Sequence, residues 1–152
     1  MDTKSPVQRT PAHITTTAKV EVAKYQREVL DRGEDSSMTV AATHLEEHFT
    51  GGLVGIGLAA HLRIERDDGT GMLTCYERIT GSLDGRHGSF LLRASGFTDR
   101  HHVVHGRWEV IEGSATGELA GLRGYAAFSA VPDKQAKTGW VADTALTYWF
   151  DA

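Results

Sequence analysis

Between Leu73 and Gly81 one charged residue stands on an otherwise apolar face. Period-two alternation puts Leu73, Cys75, Glu77 and Ile79 on one side, and Thr74, Tyr76, Arg78 and Thr80 on the other. A buried, unpaired carboxyl costs roughly 2 kcal/mol even when uncharged, so Glu77 must be paired, hydrated or functional. Apolar surroundings raise a carboxyl pKa towards neutrality, which suits a general acid or base. The bland alternative is a structural carboxyl bonded to a tyrosine or to backbone amides. In the last apolar segment Tyr148 shares a face with Leu146 and Phe150, so its hydroxyl is the expected interior partner of Glu77.

Around this pair the same alternation places a set of interior groups. Phe90, Leu92 and Ala94 oppose Ser89, Arg93 and Ser95, and Val104, Trp108 and Val110 oppose His105, Arg107 and Glu109. Trp108 could form a flat wall against an unsaturated or ring-containing ligand, and Phe128 is expected to join that lining. Cys75 lies two residues before Glu77 on its face, but no histidine on that strand is placed to activate the thiol, so it is expected to line rather than react.

Two histidine clusters invite a metal and do not support one. His101, His105 and Glu109 share a face, yet residues four apart on a strand are roughly 13 Å apart, too far for one ion. His44 and His48, with Glu46 between them, have the same problem, so no metal is expected. The glycine-rich run from Gly113 to Gly124 lacks the Lys-Ser or Lys-Thr ending of a phosphate cradle. It reads as a turn or lid at a rim, with Glu118 and Arg123 pairing or covering the mouth.

These residues need strands to carry them. The 152-residue chain, 40% hydrophobic, is long enough for one domain with a real core. Segments of β character fall near 13–25, 38–50, 53–65, 72–81, 87–97, 102–112, 123–131 and 141–151, with short turns such as Asp67-Asp68-Gly69-Thr70 and Leu83-Asp84-Gly85-Arg86 between them. In the third segment Val54, Ile56, Leu58, Ala60, Leu62 and Ile64 form the apolar face and are expected to be core. Eight two-faced strands are best satisfied by a single closed antiparallel barrel, which removes both edges and can enclose one small ligand. A two-sheet sandwich is the second choice. Residues 1–12, polar with two prolines, read as a flexible tail before a barrel domain at 13–152.

Composition narrows the partners. Net charge is −4, and basic residues are scattered singly among acids, which argues against nucleic acid. No run is long and apolar enough for a membrane helix or a signal peptide, so a cytoplasmic location is expected. A lone cysteine fits a reducing compartment.

Two runs carry a family resemblance: Tyr76-Glu77-Arg78-Ile79-Thr80-Gly81-Ser82-Leu83-Asp84-Gly85-Arg86-His87-Gly88-Ser89-Phe90, and Gly113-Ser114-Ala115-Thr116-Gly117-Glu118-Leu119-Ala120-Gly121-Leu122-Arg123-Gly124. With a closing Tyr148-Trp149-Phe150, they resemble a bacterial family known only as a domain of unknown function, whose fold is like the allene oxide cyclase barrel. The resemblance covers most of the domain, from about Phe49 onwards. It implies the eight-stranded barrel and says little about chemistry, because such a fold hosts cyclases, isomerases and plain binding proteins alike. The chain departs from the family pattern at Ala94, where a His is expected, and at Ala115, where a Gly is. Ala94 removes a polar neighbour of Glu77 and leaves room for a bulkier ligand.

The reading that follows is a small-molecule barrel for an apolar or amphipathic organic compound, needing no cofactor. Glu77 and Tyr148 would do any chemistry, a cyclisation or isomerisation, and Trp108, Cys75, Leu92, Ala94, Phe90 and Phe128 would bind substrate. A non-catalytic carrier is the alternative, and outer faces such as that of Tyr76 leave a homodimer open.

Overall fold

The computed structural model describes residues 12–135 and 139–151; of the expected tail, residues 1–11 lie outside the described residues. Eight strands follow one another: β1 Ile14–Asp31, β2 Met38–Gly51, β3 Leu53–Arg66, β4 Gly71–Leu83, β5 Arg86–Thr98, β6 Val104–Val110, β7 Leu122–Pro132 and β8 Trp140–Phe150. Each pairs antiparallel with the next, and β8 returns to β1, closing the barrel in simple up-and-down order. The closing ladder joins Ile14–Glu21 of β1 to Val141–Tyr148 of β8, and above it β1 continues along β2 alone as far as Asp31. No helix among the described residues is long and apolar enough to cross a membrane.

Alternation sets the inner wall. Leu73, Cys75, Glu77 and Ile79 of β4, Phe90, Leu92 and Ala94 of β5, Val104, Trp108 and Val110 of β6, and Leu146 and Tyr148 of β8 are all buried. β1 obeys the rule only up to Val22. A bulge between Val22 and Lys24 inserts Ala23 and shifts the phase, so Val22 and Ala23 are both buried, and Tyr25 and Arg27 now pair with the inward residues Leu45 and Thr43.

β3 reverses the expectation. Its apolar residues face solvent: Val54 and Ile56 are each 48% exposed, Leu58 61% and Leu62 51%. Gly55, Gly57, Ala59, His61 and Arg63 point inwards, in register with Phe49, Glu47, Leu45, Thr43 and Ala41 of β2. The cause is volume. Phe49 and Glu77 project into the lumen over β3, and small residues there leave them room, whereas a row of Val, Ile and Leu would fill the space.

The two ends of the barrel differ. At one end the loop after β6 forms a short 3₁₀ turn, Gly117–Leu119, that plugs the lumen with fully buried Leu119. Thr116 is tied to Ser89 through its hydroxyl (2.7 Å), and Glu118 accepts from the His87 backbone N–H (3.2 Å). Arg123 pairs with Glu112 and Asp151, not with Glu118. This run is a structural plug, not a lid over the mouth. The opposite end, framed by the β3–β4 and β5–β6 turns and by Trp140 at the start of β8, is open among the described residues.

Candidate functional site

From the open end a cavity of about 440 Å³ runs into the barrel. Its walls are mostly apolar: Val20 and Val22 from β1, Leu45 and Phe49 from β2, Leu92 and Ala94 from β5, Trp108 from β6 and Phe128 from β7. Trp108 has room for its ring because both registered neighbours are alanines, Ala94 and Ala126. Phe128 lies over Gly106, its registered partner; a methyl group on Gly106 would stand 2.2 Å from the ring.

Two carboxyls share this wall. Glu77 on β4 and Glu47 on β2 flank β3, and their carboxyls come near enough across it to shift each other's pKa. Gly57 makes that meeting possible. A Cβ at this position would lie 1.9 Å from Glu77 Oε2 and 2.9 Å from Phe49, so the carboxyl occupies space that any other residue would take. Glu77 Oε2 is buried and has no hydrogen-bond partner among the described residues.

Burial raises the Glu77 pKa well above the usual carboxylate range, and the neighbouring Glu47 charge pushes it further. Glu47 is raised too by burial, with Glu77 acting in the opposite sense. Both carboxyls are thus held above the usual carboxylate range, Glu77 the more strongly, and they titrate as a pair.

Closer to the mouth lie a cation and a neutral base. Arg63 donates through Nε to the Thr43 hydroxyl (3.1 Å) and through Nη2 to His61 Nδ1 (3.0 Å). Burial and the Arg63 charge depress His61 to about 3, so the ring is neutral at physiological pH. Above them Arg27 and Glu65 form an ion pair at the rim. Cys75 faces His61 across the β3–β4 ladder. Burial, with Glu77 and Glu47, pushes its thiol pKa up, so it stays protonated and lines the wall without acting as a thiolate.

Of the residues expected from sequence, Glu77, Trp108, Cys75, Leu92, Ala94 and Phe128 all line this cavity. Tyr148 and Phe90 do not. The Tyr148 hydroxyl donates to Asp84 Oδ2 (2.6 Å) at the plugged end, where Asp84 also accepts from Thr16 (3.1 Å). Phe90 is fully buried, its ring 6.3 Å from that of Trp108. Sequence reasoning missed Glu47, His61, Arg63 and Thr43, because apolar content chose the wrong face of β3 and left that of β2 open. The small-residue run Gly55, Gly57, Ala59 was the available signal. Among the described residues no three His, Cys, Asp or Glu side chains could hold a metal ion; His105 bonds Asp99 (2.9 Å) and Glu109 pairs with Arg93.

The model of a family described as "Protein of unknown function (DUF3224)" matches residues 16–139, most of the chain. The chain belongs to the DUF3224 family. It also resembles a crystal structure from Shewanella oneidensis MR-1, described as a protein with unknown function from the DUF3224 family. That likeness has a TM-score of 0.73 at 22% identity and covers 93% of this chain and 100% of the other, which shows a shared barrel. No curated protein matches the chain. Within the DUF3224 barrel, then, any account of chemistry must come from the lumen itself.

Proposed function

We propose that this DUF3224 barrel binds one small, mostly apolar organic molecule in its lumen and moves a proton on it with the Glu47–Glu77 pair, as a cofactor-independent isomerase or cyclase. The observation that carries the reading is a pair of carboxyls, both with raised pKa, set in the wall of a cavity that is otherwise mostly apolar. Such a pair offers both halves of an isomerisation. The ionised carboxylate takes a proton from one carbon as the protonated partner returns one to another, so the double bond shifts with no net change in atoms or electrons. Trp108, Phe128 and Phe49 would hold the substrate's shape, and the narrow lumen would keep water from competing.

The test is proton NMR in D₂O with apolar β,γ-unsaturated ketones as probes. Double-bond migration with deuterium uptake is expected, falling about 100-fold or more in Glu77→Gln. Unchanged turnover in that variant would contradict the role. A carrier without chemistry is the second reading, favoured by the predominantly apolar lining of the cavity. Binding without any deuterium uptake would select it.

A further inference from the structure

Arg63 is a cation turned into the lumen with no ion-pair partner of its own among the described residues. Its hydrogen-bond partners among the described residues are a hydroxyl and a neutral imidazole, and the nearest acid on its face, Glu65, is engaged by Arg27. Tyr25, Glu65 and Cys75 face it from a distance, and Arg27 opposes it. A guanidinium in such a place normally has an anion to meet, since burying an uncompensated charge is costly. The hydrogen bond from Arg63 also fixes the His61 tautomer: Nδ1 accepts, so the ring proton sits on Nε2, for which the described residues supply no hydrogen-bond partner. Two donors are thus unspent on one side of the cavity, six residues and roughly 20 Å of strand from Gly57.

We infer that the cavity takes an amphipathic organic anion, with its carboxylate or sulfonate held by Arg63 and His61 near the mouth and its apolar body directed along Trp108 towards Glu77. The inference rests on the proposed small-molecule reading and adds the charge of the ligand. The planar fork of Arg63 suits a two-oxygen anion, and Thr43 holds its Nε edge in place.

Two fluorescent probes separate this claim from the reading beneath it: 1-anilinonaphthalene-8-sulfonate and the neutral N-phenyl-1-naphthylamine, which lacks the sulfonate. The sulfonate is expected to bind about tenfold or more tightly, an advantage that Arg63→Gln abolishes while leaving the neutral probe unaffected. Retained binding of the neutral probe also shows that the variant folds. Equal affinities, or a sulfonate preference that survives Arg63→Gln, would overturn the anionic head group and leave the cavity reading standing. If neither probe binds, both fall.

A separate observation concerns the outer wall. Val54, Ile56, Leu58, Ala60 and Leu62 form an exposed apolar stripe along β3, with Leu58 registered between Glu46 of β2 and Arg78 of β4. The stripe runs about 26 Å and, with its flanking strands, covers on the order of 400 Å², at the upper end of what monomers leave open. We propose that a second copy of the chain covers it. A two-fold axis parallel to β3 lays β2 of one copy over β4 of the other, so Glu46 meets the second copy's Arg78 twice, around paired Leu58 side chains. Arg78 has no ion-pair partner of its own among the described residues, while Glu46 is already beside Lys24 (3.9 Å) and His48 (3.1 Å) and would gain the second copy's Arg78 as a further partner. Light scattering should give twice the 16.5 kDa chain mass. Leu58→Lys and Glu46→Arg should each yield monomer, with Arg78→Glu added to Glu46→Arg restoring the dimer. A wild-type monomer, a dimer indifferent to Leu58→Lys, a charge swap that fails to restore, or Leu58-dependent binding of phosphatidylcholine vesicles by a monomer would each overturn it.

Discussion

Glu47 and Glu77 stand on strands that are not neighbours, and they meet because Gly57, on the strand between them, has no side chain. The carboxyl of Glu77 fills the volume a Cβ would take, 1.9 Å from Oε2. One missing methyl group thus turns two separated acids into a coupled pair beside an apolar lumen. Gly57→Ala should force the Glu77 carboxyl off Glu47 and cost about 1–3 kcal/mol. The same substitution should cost less in a Glu77→Ala background, where only the 2.9 Å approach to Phe49 remains. Denaturant unfolding of the four chains as a double-mutant cycle checks this, and additivity would show that the two positions do not interact.

The pair also sets the alkaline side of the stability profile. Folding raises the Glu77 pKa, so the folded chain keeps a proton that the unfolded chain loses above its ordinary pKa near 4.3. The stability this gives is complete below that value and is lost as pH rises towards the folded pKa, by about 1.4 kcal/mol per pH unit. Glu77→Gln mimics the protonated acid and removes the share of the slope that Glu77 contributes, leaving that of buried Glu47. Urea unfolding at pH 5, 6.5 and 8 should show the variant gaining steadily on wild type, whereas parallel profiles would contradict a raised Glu77.

His61 should act in the opposite direction. Its folded pKa of about 3 lies below the ordinary value of 6.5, so the unfolded chain binds a proton the folded chain refuses. Stability is therefore full above pH 6.5 and falls as pH drops towards 3. His61→Gln keeps an acceptor for Arg63 and cannot take up the proton. Its unfolding free energy should decline less than that of wild type between pH 6.5 and 4; an identical decline would place the acid sensitivity elsewhere.

At the plugged end Tyr148→Phe deletes the bond to Asp84 without reaching the cavity. A loss of about 1–2 kcal/mol is expected, with probe affinity unchanged. Weaker binding of N-phenyl-1-naphthylamine would show that Tyr148 influences the lumen after all.

How legible all this was depended on whether apolar content and burial agreed. They agree on β4, β5, β6 and β8, where the alternation of Leu73 to Ile79, Phe90 to Ala94 and Val104 to Val110 marks the inner wall, and with it Glu77 and Trp108. They disagree on β3, because an enclosed cavity demands small residues inside and the outer stripe carries the bulk. Glu47 was hidden by the same effect, since β2 offers no clearly apolar face. The inward turn of Tyr25 and Arg27 was out of reach as well, because the Ala23 bulge shifts the phase of β1 and no turn residue announces it. Tyr148 was placed correctly inside, but its height along the barrel, level with Asp84, depends on register and not on alternation.

The most direct test of the account is a ¹³C NMR titration of the glutamate side-chain carboxyls, with and without N-phenyl-1-naphthylamine. One carboxyl is expected to stay protonated at pH 7, to vanish in Glu77→Gln, and to shift when the probe enters the cavity. If every glutamate titrates near its ordinary value of about 4.3 and none responds to the probe, the Glu47–Glu77 pair is not an acid–base site and the proposed function fails.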